Sequence, residues 1–282
     1  MKESLLETIL DPSHLSVCFQ PIFRIHDRLH KVHALEALIR GPKGTNFERA
    51  DILFDYVRRK HAEAAMDRTC FAAICKAAKD LPPQFRINVN VHAVTLGQKP
   101  GFTDFFWKLA EQCSLPLERF TIEIVEHAPS CNIPTLMDTV TALRDSGVRI
   151  ALDDIGLGQS NYRMMLDCQP EYFKLDSYFV RSLSHYPRRR AVVESVVTLA
   201  AAMQGSVVAE GVESAEDLTE LNRLGVEFVQ ANLLCSAMRL DELWTTGLLG
   251  PYRSDRSSNF TPTNHAPVGD LASGPQKLLV TA

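Results

Sequence analysis

Seven short, mostly apolar segments of this chain end in polar residues that could act together: Glu36, Asn90, Glu123, the adjacent Asp153 and Asp154, Lys174, Glu210 and Gln230. Five carboxylates, two amides and one lysine make a set of hard donors without a thiolate, which suits Mg²⁺ or Mn²⁺ rather than Zn²⁺. Neighbouring carboxylates repel, and a divalent cation removes that cost. Two such ions sharing a bridging Asp form a clamp for in-line attack on a phosphodiester. Taken singly, each residue is also what an ordinary strand end or exposed turn carries. Only their convergence on one rim makes chemistry.

The elements that must position them follow from hydrophobic pattern. Ile150-Ala151-Leu152 runs into Asp153-Asp154 and turns at Gly156, the pattern of a buried parallel strand with its carboxyl end at the Asp pair. Leu15 to Phe23 and Lys31 to Ile39 read as strands flanking a turn at His26-Asp27-Arg28, so they should pair antiparallel. Further strands are expected at Arg86–Val91, Phe120–Glu126, Tyr172–Leu175, Ser206–Ala209 and Glu227–Gln230. Helical patterns separate them. One continuous pattern runs from Asn46 to Leu81, and others run over 102–112, 188–204 and 214–224. Another is capped by Asn132 and stopped by Gly147. The first thirteen residues read as a short helix or arm.

Strands alternating with helices point to a parallel sheet, and about eight strands is the number that closes a barrel. The expected fold is therefore α/β, a modified TIM (β/α)8 barrel opening with an antiparallel β-hairpin. In such a barrel the carboxyl ends of all strands share one mouth. An open doubly wound sheet is the alternative, but no Gly-x-Gly-x-x-Gly follows a strand. Residues 1–250 are expected to form one domain, with a short helix near 241–249. Residues 251–282, rich in Ser, Pro, Asn and Gly, are expected to be a disordered tail.

Composition narrows the function classes. The chain has 282 residues, 45% hydrophobic and 23% charged, with a formal net charge of −4. That balance argues against a nucleic-acid polymer or an anionic membrane surface as partner. No signal peptide or membrane span is expected. Seven scattered cysteines without a Cys-x-x-Cys argue for reduced thiols in a cytoplasm, not for a zinc site.

Read in order, these residues resemble the EAL domain, the family of bacterial cyclic di-GMP phosphodiesterases. Glu36-Ala37-Leu38 is the signature itself, extended to Ile39-Arg40. The resemblance includes Gln20-Pro21-Ile22, Asn90 in Val-Asn-Val, Glu123 with Glu126, Asp153-Asp154 before Gly156, Lys174 with Asp176, and Ala-Glu-Gly-Val-Glu at 209–213. It implies that Glu36, Asn90, Glu123 and Asp153 ligate one metal ion, and that Asp153 and Asp154 hold a second. It implies that Lys174 and Glu210 position and activate water. Gln20, Arg40, Asp176 and Gln230 would face the substrate, cyclic di-GMP, with Arg40 offering its fork to phosphate oxygens. Glu126 and Glu213 would anchor the loop after the Asp pair from behind the metal ligands. A homodimer is implied too. With no sensory motif in the chain, a partner protein or sensor would act in trans.

Some residues depart from the family pattern. The usual Asp-Phe-Gly-Thr-Gly-Tyr-Ser-Ser is here Asp154-Ile155-Gly156-Leu157-Gly158-Gln159-Ser160-Asn161. Both glycines survive, but the lost Phe, Thr and Tyr put loop order and second-metal affinity in question. His92 stands where Ser is usual and, two residues after Asn90, is expected to face the same side, as a metal ligand or a packed histidine. Ala231 stands for a usual Gly. Three readings follow: a metal-dependent phosphodiesterase producing linear pGpG, a receptor that binds cyclic di-GMP without cutting it, and a Mg²⁺-dependent barrel enzyme of another class. The complete carboxylate set favours the first.

Overall fold

The computed structural model describes residues 4–25, 31–98, 101–125, 131–156 and 162–250. Eight strands close a barrel in chain order. They are β1 (Ser16–Arg24), β2 (Lys31–Arg40), β3 (Arg86–His92), β4 (Phe120–Val125), β5 (Arg149–Ile155), β6 (Tyr172–Leu175), β7 (Ser206–Glu210) and β8 (Phe228–Gln230). The helices are α1 (Leu5–Ile9), α2 (Ala50–Arg59), α3 (Glu63–Ala78), α4 (Ala93–Leu96), α5 (Phe102–Gln112), α6 (Ile133–Asp145), α7 (Tyr162–Cys168), α8 (Ser177–Val180), α9 (Pro187–Ala202), α10 (Ala215–Arg223) and α11 (Leu240–Thr245). The modified TIM barrel is as expected. β1 runs antiparallel to both neighbours, β2 and β8, while the other adjacent pairs are parallel.

Two expectations change. The Asn46–Leu81 pattern is not one helix: it breaks at Lys60–Ala62, where His61 adopts φ 52°, between α2 and α3. The hydrophobic stripe carries across this corner because Leu53 and Val57 of α2 and Met66 to Ala78 of α3 join one buried core. The second change is the short α4, α7 and α8, which are single turns or little more and too brief to show a period. The hairpin turn at 26–28, Glu126, the loop 157–161 and the tail 251–282 lie outside the described residues.

Alternation along the strands sorts side chains into an outer coat and an interior. Outward residues such as Leu35, Val89, Ile122, Leu152, Phe173 and Val229 are fully buried under the helices. A second, smaller cluster fills the lumen: Ile22, Ala34, Ala151, Tyr172, Val208 and Phe228. This apolar plug separates the two mouths of the barrel. Pro21, which has no N–H, sits between the Ile22–Gln230 pairing and the Phe19–Met238 bridge that closes the seam.

Candidate active site

At the carboxyl end of the strands, just above the plug, the inward positions are polar. Lys174 on β6 is 2% exposed, and its ammonium is surrounded by acids. Its Nζ lies 2.7 Å from Glu123 Oε2, 2.7 Å from Glu210 Oε1, 3.3 Å from Glu36 Oε2 and 3.4 Å from Asp153 Oδ1. Four strands beside its own, β2, β4, β5 and β7, thus send a carboxylate to one point.

Amides steer these acids. Asn90 Nδ2 donates to Glu36 Oε1 at 2.7 Å, and Gln230 Nε2 donates to Glu36 Oε2 at 2.6 Å. Asn88 Nδ2 holds Glu123 Oε1 at 2.7 Å. Gln230 Nε2 also reaches Gln20 Oε1 at 3.1 Å, and Gln20 in turn donates to Asn232 and to the Cys235 carbonyl. Asn88 and Asn232 were not among the sequence candidates. Asn88 had a signal, because it shares the inward face of β3 with Asn90. Asn232 had none, since its reach to Gln20 depends on the turn after β8.

Asp153 and Asp154 both line the cleft, although neighbouring residues on a regular strand face opposite ways. A bulge is the reason. Leu152 pairs with Phe173 and Ile155 with Leu175, so the two aspartates oppose Lys174 alone. Asp154 takes φ 53°, a left-handed conformation that Asp tolerates better than most residues. Gly156 follows at φ 91°, and a Cβ there would lie 2.8 Å from the Phe179 ring.

The electrostatics are unbalanced. Two carboxylates about 4 Å apart repel by about 4 kcal/mol at an effective dielectric near 20. One ammonium cannot neutralise four of them. Burial, and then the charge of Glu36, push the Glu123 carboxyl well above its usual range. Burial pushes Glu210 up to about 8 against the pull of Lys174. Burial would also raise Glu36, but Lys174 and the two amide donors hold it low. Lys174 goes the other way: burial opposes its charge, yet Asp153, Glu123, Glu210 and Glu36 together keep it firmly protonated.

A cation fits this donor set. The ammonium of Lys174 already stands in for one, contacting every carboxylate of the inner ring. Among the described residues, the buried Gln230 Oε1 and Asn88 Oδ1 have no hydrogen-bond partner. Both are acceptors, the kind of atom a cation or its water shell satisfies. With Lys174 seated among the acids, no three His, Cys, Asp or Glu groups among the described residues take up metal-ligand geometry.

A cleft of about 280 Å³ opens beside the ring, lined by Arg40, Asn90, His92, Asp153 and Asp154 and by apolar residues including Leu38 and Phe54. Arg40 is half-buried there, with Nη1 donating to the Ile39 carbonyl at 3.0 Å. His92 lines the same cleft as Asn90, as alternation implies. The strand ends at His92, and its ring reaches α3, where Nδ1 meets Asp67 Oδ1 at 2.8 Å. Its own amide and Thr95 Oγ1 donate to Asp67 Oδ2. The hydrogen-bonded reading of this histidine is therefore the structural one.

Two other candidates have contacts of their own. Asp176 caps α8, with its Oδ1 accepting the Tyr178 amide at 2.6 Å. The Glu213 carboxylate is 62% exposed and pairs with Arg181 at 3.1 Å, while the loop it is expected to anchor lies outside the described residues.

The EAL domain family description matches residues 2–237, almost the whole barrel. The chain belongs to the EAL domain family. Among related EAL proteins, it is 27% identical over 273 residues to the cyclic di-GMP phosphodiesterase NbdA of Pseudomonas aeruginosa, covering 94% of this chain and 34% of that protein. It is 33% identical over 149 residues to the cyclic di-GMP phosphodiesterase RocR of the same organism, covering 53% of this chain and 38% of that protein. The chain thus spans about a third of the length of these curated relatives. The barrel also superposes on the PaMucR phosphodiesterase in complex with c-di-GMP, with a TM-score of 0.74, 22% identity, and coverage of 84% of this chain and 97% of that one.

Proposed function

We propose that this EAL domain is a phosphodiesterase that opens cyclic di-GMP to linear pGpG with two Mg²⁺ or Mn²⁺ ions. The observation that carries the reading is the convergence of Glu36, Glu123, Asp153 and Glu210 within 3.4 Å of one buried ammonium, beside a cleft that Arg40 lines. Glu36, Asn90, Glu123 and Asp153 would hold one ion, and Asp153 with Asp154 the second. When bound, the ions supply Lewis-acid polarisation of the phosphate and lower the pKa of water.

The chain's own residues do the rest. Arg40 grips a phosphate oxygen through its planar fork. Gln20 and Gln230, already hydrogen-bonded to each other, fix the edge of the site next to Glu36. Asp176 either meets the substrate or supports Lys174 by capping the turn that follows it. Glu210, partly exposed and 2.7 Å from Lys174, can take a proton from the attacking water. Lys174 stays charged and donates to negative charge developing on the phosphate. Glu126 remains a proposed support for the loop after Asp154.

The same reading takes residues 1–250 as one barrel domain and 251–282 as a tail. Among the described residues no helix is long and apolar enough to cross a membrane, and the cysteines are free thiols. A cytoplasmic location and a homodimer are part of the proposal, the latter testable by light scattering. Turnover is tested by incubating the purified chain with cyclic di-GMP and Mn²⁺ and separating the products. Appearance of pGpG, abolished in Glu36→Ala, supports hydrolysis. Binding without product would favour a receptor, and neither would return the chain to a barrel enzyme of another class. Arg40→Ala should weaken nucleotide binding about tenfold or more while leaving metal affinity within twofold; parallel loss of both would contradict the role given to Arg40.

A further inference from the structure

Below the apolar plug, the amino-terminal mouth of the barrel carries the opposite charge. Arg86 opens β3 and Arg149 opens β5, on the inward-facing register of Asn90 and Asp153. His33 joins them through a second bulge. Ile22 pairs with Ala34 and Phe23 with Val32, so His33 is the extra residue and turns into the lumen. There its ring packs on Phe228, with centroids 4.2 Å apart.

A relay links these groups. Arg149 Nη1 donates to Tyr172 Oη at 3.0 Å, and Tyr172 Oη lies 2.8 Å from His33 Nε2. Arginine can only donate, so the tyrosine hydroxyl gives its own proton to a neutral imidazole. Burial, with the charges of Arg86 and Arg149, holds His33 down at about 4, consistent with that neutral state. Arg86 Nη1 donates to the Glu118 carbonyl at 2.7 Å. Both guanidinium groups are half-buried, and burial together with the charge of Arg149 depresses the Arg86 pKa.

Among the described residues neither arginine has a carboxylate within ion-pair distance. Glu227, whose charge reaches this mouth, is engaged by Arg24 at 2.5 Å and by Ser206 at 2.8 Å. Two guanidinium groups at one mouth, beside a hydroxyl and a neutral histidine, repel each other. They become attractive around an anion with several acceptor oxygens. We propose that the amino-terminal mouth, through Arg86 and Arg149, binds an oxyanion of the phosphate class. The apolar plug makes this site separate from the acidic mouth.

The test is calorimetry and thermal unfolding of the full chain in chloride buffer, with inorganic phosphate as the probe and no divalent metal added. Phosphate should bind at one site and raise Tm by about 3 °C near saturation. Arg86→Gln and Arg149→Gln should each weaken binding about tenfold or more, while Glu36→Gln keeps it. If either glutamine variant fails to fold by circular dichroism, Arg149→Lys, which retains charge but loses the fork, should still weaken binding several-fold. Guanosine monophosphate as a second probe separates the sources: tighter binding than phosphate, lost in the same variants, assigns an ester, and weaker binding assigns the free ion. An equal Tm rise in the arginine variants, or an equal rise with chloride at matched ionic strength, would overturn the site.

Discussion

Lys174 decides how the acidic ring survives as a set of charges. It is buried among four carboxylates, and removing one partner of such an arrangement leaves the rest uncompensated. Lys174→Met should therefore cost about 3 kcal/mol in urea unfolding with EDTA present, and Mn²⁺ should restore most of it. A variant as stable as wild type in EDTA would mean that the ring is not under charge strain. His33 gives a pH signature at the other mouth. Its pKa falls from 6.5 to about 4 on folding, so below pH 6.5 the unfolded chain binds the proton that the fold refuses. Stability is full above that value and declines as pH drops toward 4. After allowance for partial exposure, the loss should be about 1–2 kcal/mol between pH 7 and 4.5. Unfolding midpoints of His33→Gln should show a flatter slope over this window; an unchanged slope would move the effect to another group. At this scale the sequence was informative about identity and poor about partners. Glu36, Glu123, Asp153 and Glu210 were legible as strand ends, but the Asp67 hold on His92 was not, because it joins a strand end to the face of a distant helix.

The elements make the site through their irregularities. Regular strands would send Asp153 and Asp154 to opposite faces; the bulge against Lys174 brings both to the cleft. Gly156 is the hinge of that arrangement, at φ 91° with Phe179 beside it. Gly156→Ala should destabilise the fold by about 1–2 kcal/mol, since an L residue is strained there and its methyl meets the ring. It should also lower turnover about tenfold, with Mn²⁺ at saturation recovering part of the loss. Wild-type activity at limiting Mn²⁺ would show that the turn does not set the Asp pair. Such bulges were hidden in the sequence because they are properties of two strands in register, not of one. The breaks at Pro82-Pro83, Gly147 and Gly205 were legible, and the helices and strands they bound fall within a few residues of expectation.

On the scale of the whole molecule, closure of the barrel gives the chain two mouths of opposite charge divided by an apolar plug. Eight strands, an opening hairpin and one converging acidic rim could be counted from pattern alone. What pattern could not supply was the seam. β1 meets β8 over only Ile22–Arg24, and the Phe19–Met238 bridge extends that edge. Nor could it show that the lysine sits inside the acid ring, since that depends on distances between β6 and four other strands. The central claim is that these carboxylates are a cation site assembled by closure. Anomalous scattering from Mn²⁺ in crystals of the chain with cyclic di-GMP tests it most directly. The account predicts manganese peaks bounded by Glu36, Asn90, Glu123 and Asp153, and by Asp153 and Asp154, with the Lys174 ammonium withdrawn from Glu123. Manganese bound elsewhere, with Lys174 still bridging all four acids, would contradict it.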